Sequence, residues 1–200
     1  KCGVSGGRGG SQHINQKNFY SNGIQGALVP VATGMALSEK IKKTGNIVIC
    51  FIGDGTLGQG IVYESMNLAA IWQLPIAFIV ENNYYAMSTP VNSALSGKLK
   101  NRGEAFGIES EETTSNDAEE IFNKASTIFE KIRKHSSPFF WIINTYRISG
   151  HSKSDDRSHR SKSEEAAWAI KDPLKIFQAR IDNVTRTSIE EACIKRVDTA

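Results

Sequence analysis

Apolar positions along this 200-residue chain recur with two different periods, and their alternation predicts the fold. From Ala27 to Lys43 they stand three and four apart, at Leu28, Val31, Ala32, Met35, Ala36 and Ile41, which is the spacing of one helical face. Gly45 is placed to end that helix. Ile47 to Ile52 is an unbroken apolar run that predicts a central parallel strand, because a strand covered on both faces has no need to alternate. The run stops at Gly53-Asp54-Gly55. Helical spacing returns over Gly60 to Ile71, with Val62, Met66, Ala69 and Ala70 on one face, and Pro75 then introduces a second apolar strand, Ile76 to Val80. Strand, helix and strand make a β-α-β unit with a right-handed crossover.

Beyond it the periods are weaker. Tyr84 to Ser115 reads as loop with one short helix near Lys98 to Phe106. Asp117 is a capping acid for a helix that runs through Ile121, Ala125, Ile128, Phe129 and Ile132. Ser137-Pro138 ends it, and Phe139 to Asn144 is a third buried strand. A polar loop from Tyr146 to Ser163 precedes three helical stretches, Glu164 to Ile170, Leu174 to Ile181 and Ser188 to Val197. The glycine-rich stretch from Gly3 to Gly26 reads as a long loop, of a length that points to function or to disorder. The pattern predicts an α/β fold, an open and mostly parallel sheet flanked by helices, with ligands held beyond the carboxyl ends of the strands. One domain over 1–200 is expected, with 163–200 as a C-terminal helical part. Three strands are few for this length, and the lysine at position 1 leads us to expect a segment upstream.

Composition narrows the function classes without choosing one. The chain is 40% hydrophobic and 22% charged, in the range of soluble globular proteins. A net charge of +3, with basic and acidic residues interspersed, gives no footprint for nucleic acid. No apolar stretch has the length of a membrane span, so a cytoplasmic or organelle-matrix location is expected. Cys2, Cys50 and Cys193 form neither a CxxC pair nor an even set, and Cys50 reads as a buried thiol.

The chemistry begins after the first strand, at Gly53-Asp54-Gly55-Thr56-Leu57-Gly58-Gln59-Gly60. The glycines let backbone amides approach a phosphate at the mouth of the next helix. The run lacks the Gly-Lys-Ser/Thr of a Walker loop and the glycine spacing of a dinucleotide-binding turn. Asp54 would repel a diphosphate unless a cation lay between them, which makes it a metal ligand rather than a ribose binder. The second strand ends in Glu81-Asn82-Asn83. Neighbouring parallel strands bring their carboxyl ends to one ligand, so Asp54 and Asn83 can offer a carboxylate and an amide oxygen to the same ion.

With Gly-Asp-Gly at one end, Asn-Asn at the other and 26 residues between Gly55 and Asn82, the segment resembles the motif of thiamine-diphosphate enzymes. The resemblance implies that Asp54, Asn83 and the main-chain carbonyl of Tyr85 hold Mg2+, and that the backbone of Gly53, Gly55 and Thr56 meets the diphosphate. Further segments make the chain similar to the α subunits of 2-oxo-acid dehydrogenases acting on pyruvate, branched-chain 2-oxo acids or acetoin. These are Gly9 to His13, Asn22 to Ala27, Tyr63-Glu64 with Asn67, Leu74-Pro75, Glu81 to Thr89, Thr145 to Arg147 and Gly150 to Asp155. In that family Gly23 and Gln25 correspond to backbone contacts with the aminopyrimidine, His151 lies near the reactive end of the cofactor, and His13 lines the approach to it. Both histidines are therefore candidate catalytic groups for binding the substrate carboxylate or exchanging a proton.

The resemblance also implies partners. The glutamate that activates the cofactor comes from a β subunit in such relatives, and no acidic residue here fits that task by motif. It implies an α2β2 assembly with sites at interfaces, a small 2-oxo acid as substrate and a lipoyl-bearing acyltransferase as acceptor of the acyl group. Ser152 and Ser154 fall in a loop that mitochondrial relatives phosphorylate. An acetoin-cleaving or transketolase-like subunit, and a degenerate non-catalytic subunit, are the competing readings. Four residues depart from the family pattern: Gln25 is usually apolar, Tyr84 usually glycine or a flexible polar residue, Asp156 usually proline and His159 usually aromatic. A positive φ at Tyr84 would be strained.

Overall fold

The computed structural model describes Arg8, Gly10 and residues 12–199. Cys2, Gly9 and Ser11 lie outside the described residues. In chain order the elements are β1 (Ile14–Gln16), β2 (Phe19–Ser21), α1 (Gln25–Lys42), β3 (Val48–Gly53), a 3-10 turn (Asp54–Gly58), α2 (Gly60–Ile71), β4 (Ile76–Asn82), β5 (Tyr85–Ala86) and β6 (Thr89–Pro90). They continue with α3 (Val91–Ala94), α4 (Asn101–Glu104), β7 (Glu109–Thr113), α5 (Ala118–His135), β8 (Phe139–Asn144), α6 (Lys162–Ala169), α7 (Pro173–Gln178) and α8 (Asn183–Asp198).

Four parallel strands form the main sheet in the order β3-β4-β8-β7. Successive side chains of a strand point to opposite faces, and each face has its own cover. On one, Cys50, Ile52, Phe78, Val80, Phe140 and Ile142 pack beneath Val29, Ala32 and Ala36 of α1 and Val62, Met66 and Ala69 of α2. On the other, Ala77, Ile79, Phe139 and Trp141 meet Ile128 and Ile132 of α5. That second cover does not reach β3, where Ile49 and Phe51 stay exposed. The β-α-β unit, the long helices and the third strand stand where the apolar periods predict them, but β3, read as a central strand covered on both faces, is an edge strand of this sheet with Ile49 and Phe51 uncovered.

Three further expectations are corrected. The sheet has a fourth strand, β7, within the stretch read as loop: its Glu-Ser-Glu-Glu-Thr sequence carries no apolar residue to announce it, and it pairs with β8 alone. Its carboxylates face lysines of α5, Glu111 with Lys124 and Glu109 with Lys131, while Thr113 accepts from the Trp141 indole at 2.9 Å. The glycine-rich opening is not all loop, since β1 and β2 pair as an antiparallel hairpin. Finally, α1 ends at Lys43, which takes the left-handed conformation with φ +54 itself, two residues before Gly45.

Among the described residues no helix is long and apolar enough to cross a membrane.

Candidate functional site

In the parallel register Gly53 stands opposite Glu81, and Glu81 opposite Ile143. The three chains therefore leave the sheet together, placing the 3-10 turn, the Asn82-Asn83 pair and the loop after Asn144 along one edge. Asp54 opens the 3-10 turn and is 2% exposed. Its Oδ2 is buried without a hydrogen-bond partner, and burial pushes its carboxyl above the usual carboxylate range. A buried anionic oxygen of this kind is costly unless a proton or a cation meets it.

The turn is cradled on both sides. A Cβ on Gly55 would stand 2.5 Å from the Cβ of Ala86 in β5, so the short β5–β6 ribbon can close over the turn because position 55 carries no side chain. From the other side Gln25 reaches in: its Oε1 accepts from the Gly53 amide at 2.9 Å and from the Thr56 hydroxyl at 2.8 Å. This explains the departure at Gln25. An apolar residue could not brace the turn in this way, and the amide side chain adds a contact beyond the backbone role implied by resemblance. Gly23 stands close to the Gln12 side chain, in space that a Cβ would fill.

An amide ladder holds the far side of the same edge. Asn82 Nδ2 donates to Asn144 Oδ1 at 2.7 Å, Asn144 Nδ2 donates to Glu112 at 2.8 Å, and the Asn82 carbonyl accepts from the Thr145 amide at 2.9 Å. Asn82 Oδ1 receives the Tyr84 amide and Asn83 Oδ1 the Tyr85 amide, each at 3.2 Å. Tyr84 adopts φ +68, so the anticipated strain is present. From sequence Asn82 enters only as the first of the Asn-Asn pair, and Asn144 and Glu112 carry no site role. An amide closing each of two adjacent apolar strands was the available signal.

Arg147 connects this edge to the polar loop. Its charge lies close enough to Asp54 to draw that carboxyl's pKa downward against burial. Its Nη1 sits 3.3 Å from His151 Nδ1, and its Nη2 donates to the Met87 carbonyl at 2.7 Å. Asp155 holds the loop from within, accepting the His151 amide at 2.6 Å and the Arg157 amide at 2.9 Å. Those two amides keep its carboxyl below the usual range. His151 is exposed, as are Ser152 and Ser154, whose hydroxyls lie 3.2 Å apart. His13 is also exposed, beside the β1–β2 hairpin, and no described hydrogen bond or ion pair joins it to Asp54 or His151. His159 is half-buried against the Tyr85 ring, with centroids 5.2 Å apart, and exposed His135 closes α5.

The donor set fits a hard divalent cation. Asp54 offers an oxygen with no other partner, while Asn83 and Tyr85 lie on the segment that folds over it. Among the described residues no three His, Cys, Asp or Glu side chains gather as a metal group, and a site of one carboxylate, one amide and one carbonyl requires none. A separate groove of ≈ 680 Å³ runs along the open edge of β3, between α1 and the hairpin, and reaches Gln25 and Gly53 at its upper end.

The chain is 42% identical over 201 residues to the pyruvate dehydrogenase E1 component subunit alpha of Rickettsia felis, covering 98% of this chain and 61% of that protein. It is 37% identical to the subunit of the same name from Rhizobium meliloti, over 98% of this chain and 57% of that one. With the testis-specific mitochondrial form of Rattus norvegicus it shares 36% identity over 99% of this chain and 51% of the relative. The chain thus spans about three fifths of its bacterial relatives' length. Among solved structures it resembles a transketolase from Campylobacter jejuni, with TM-score 0.56 and 28% identity over 71% of this chain and 23% of that one. The fold is also similar to benzoylformate decarboxylase from Polynucleobacter necessarius, with TM-score 0.51 and 17% identity over 66% of this chain and 26% of that chain. The family model described as dehydrogenase E1 component matches residues 2–199, and the chain belongs to that family.

Proposed function

We propose that this chain is the α subunit of a thiamine-diphosphate-dependent 2-oxo-acid dehydrogenase, which decarboxylates a 2-oxo acid and passes the acyl group to a lipoyl arm of a partner acyltransferase. The observation that carries the reading is Asp54, a buried carboxylate with an unpartnered oxygen, on a glycine turn covered by the segment that bears Asn83 and Tyr85. Mg2+ would be held by Asp54, Asn83 and the Tyr85 carbonyl, with the Gly53, Gly55 and Thr56 backbone toward the diphosphate. Gly23 and Gln25 would lie toward the aminopyrimidine. Thiamine diphosphate supplies the electron sink for decarboxylation.

The residues of this chain bind and orient. Gln25 braces the diphosphate turn, the Asn82–Asn144 pair fixes the strand end before Asn83, and Arg147 carries positive charge from the metal side toward His151. His151 and His13, both accessible, are the groups to meet a substrate carboxylate or transfer a proton. No acidic residue fits by motif the task of activating the aminopyrimidine, and the family resemblance favours an interface site completed by a β subunit in an α2β2 assembly. The relatives' names make pyruvate the first substrate to try.

The test is calorimetry of the full-length chain mixed with its β partner, titrated with thiamine diphosphate with and without magnesium. Activity on pyruvate, branched 2-oxo acids and acetoin would follow. Magnesium-dependent binding with turnover of a 2-oxo acid is expected. Absence of such binding would sink the proposal, and cleavage of acetoin alone would replace the substrate.

A further inference from the structure

The metal turn is gripped by a helix that the proposed reaction does not use. In an extended strand consecutive side chains point to opposite faces, yet Tyr84 and Tyr85 both engage α6. The left-handed φ of +68 at Tyr84 redirects the chain between them. As a result the Tyr84 ring packs against Trp168, with centroids 5.7 Å apart and planes at 46°, while the Tyr85 hydroxyl donates to Glu164 at 2.9 Å. Glu164 and Trp168 are four residues apart on α6 and so share one face of it. The backbone of Tyr84 is fixed as well, its amide donating to Asn82 Oδ1 at 3.2 Å and its carbonyl accepting from the Val91 amide at 2.9 Å.

The grip continues into the loop that carries His151. Trp168 stacks on Tyr146, with centroids 5.3 Å apart and planes 4° from parallel, and the Lys171 ammonium lies 5.0 Å from the indole. Arg160 sits between the Tyr85 and Tyr146 rings, 5.3 and 5.2 Å from their centroids, and donates to the carbonyls of Arg147 and Ser149. A positive φ at a tyrosine carries a strain that persists only where its surroundings enforce it, and here the Tyr84–Trp168 contact acts together with the hydrogen bonds of the Tyr84 amide and carbonyl.

We infer that Tyr84 is a positioning residue: its ring, locked against Trp168, holds the Asn83–Tyr85 turn in the geometry that offers both residues to a divalent cation. The inference rests on the proposed metal site. Coupling of this kind is reciprocal, so cation binding also tightens the docking of α6. The device belongs to this chain's own departure from the family pattern, because glycine at position 84 would adopt the same φ without an anchor.

The experiment uses the full-length chain reconstituted with its β partner, with thiamine diphosphate present and magnesium titrated. Tryptophan emission and calorimetry are read together, and Trp168→Phe assigns the share of the signal that belongs to Trp168. Wild type is expected to show a magnesium-dependent change that Trp168→Phe loses. Tyr84→Gly is expected to weaken magnesium binding about three- to tenfold, the range of one aromatic pair, while its thermal midpoint is unchanged or higher because glycine relieves the strain. Tyr84→Phe keeps the ring and is expected to restore wild-type affinity. Equal magnesium affinity in wild type and Tyr84→Gly overturns the inference and leaves the metal site standing, as does a Tyr84→Phe variant as weak as Tyr84→Gly. A wild-type protein that binds no magnesium overturns the functional reading and this inference together.

Discussion

The two halves of the site are built on opposite terms. Around Asp54 the parts are strand ends and their immediate turns, and Asp54, Thr56, Asn82 and Asn144 are each no more than 5% exposed. Around His151 the parts are a loop without regular structure, braced by Asp155 and Arg147, with the imidazole open to solvent. A cation needs fixed oxygens, and a parallel sheet supplies fixed positions at its carboxyl edge. A substrate must enter and leave, and an exposed loop leaves room for that. The proposed anchor is built from buried strand ends, whereas the proposed reactive end is an open rim.

The largest effect expected from that contrast is at the anchor. Asp54→Ala should weaken magnesium-dependent cofactor binding more than about a hundredfold, since losing a supporting outer contact alone costs up to that much. The same change removes a buried carboxylate without a partner, so the thermal midpoint of the cofactor-free chain should hold or rise. Calorimetry and a melting curve on one preparation read both. Retained affinity, or a collapsed fold, would contradict the assignment of Asp54 as a ligand held at a cost.

At the rim the expected signature is the reverse. His151→Ala should lower turnover about a hundredfold, a usual contribution of one proton-transfer group, with cofactor binding essentially unchanged. His13→Ala should do less, because no described contact ties His13 to the rest of the site. Steady-state rates beside the calorimetric constants separate the halves, and a His151 variant that lost cofactor instead would merge them.

The third effect tests what makes the anchor rigid. Asn144→Ala strands the buried Asn82 amide, and should cost about 1–3 kcal/mol against urea. Ser152→Ala, at the rim, should stay within about 0.5 kcal/mol of wild type.

These residues also show where the sequence was readable. Asp54 and Asn83 were legible because each closes an apolar strand, and parallel pairing fixes where such ends go. The β-α-β core was legible for the same reason. Strand β7 was not, because an edge strand whose carboxylates pair with Lys124 and Lys131 of α5 has no apolar face to announce it. The side-chain work of Gln25 was hidden too, since it joins residues 28 and 31 positions apart through a turn geometry no spacing rule contains. The α6 grip depends on a positive φ at Tyr84, which could be named as a strain from sequence but not turned into a contact with Trp168.

The smallest effect concerns acid, and it sets the two halves in order. Burial raises the Asp54 carboxyl, so in the metal-free chain that group takes a proton at a higher pH than an exposed aspartate does. Magnesium must expel the proton, and its affinity therefore falls as pH drops through that raised value. Asp155 has the opposite sign: the His151 and Arg157 amides hold its carboxyl below the usual range. Its stabilisation of the loop is complete above the unfolded value of about 3.9 and is lost only as pH falls through the depressed folded one. Acidification should accordingly weaken magnesium binding first and loosen the loop afterwards. Calorimetry across a pH series gives the first event, and the His151 and Arg157 amide resonances of isotope-labelled protein give the second. Asp155→Asn should remove the acid step from those resonances while leaving the pH dependence of magnesium binding in place. Loosening of the loop before any loss of magnesium affinity would mean that the rim, and not the anchor, is the more acid-sensitive half.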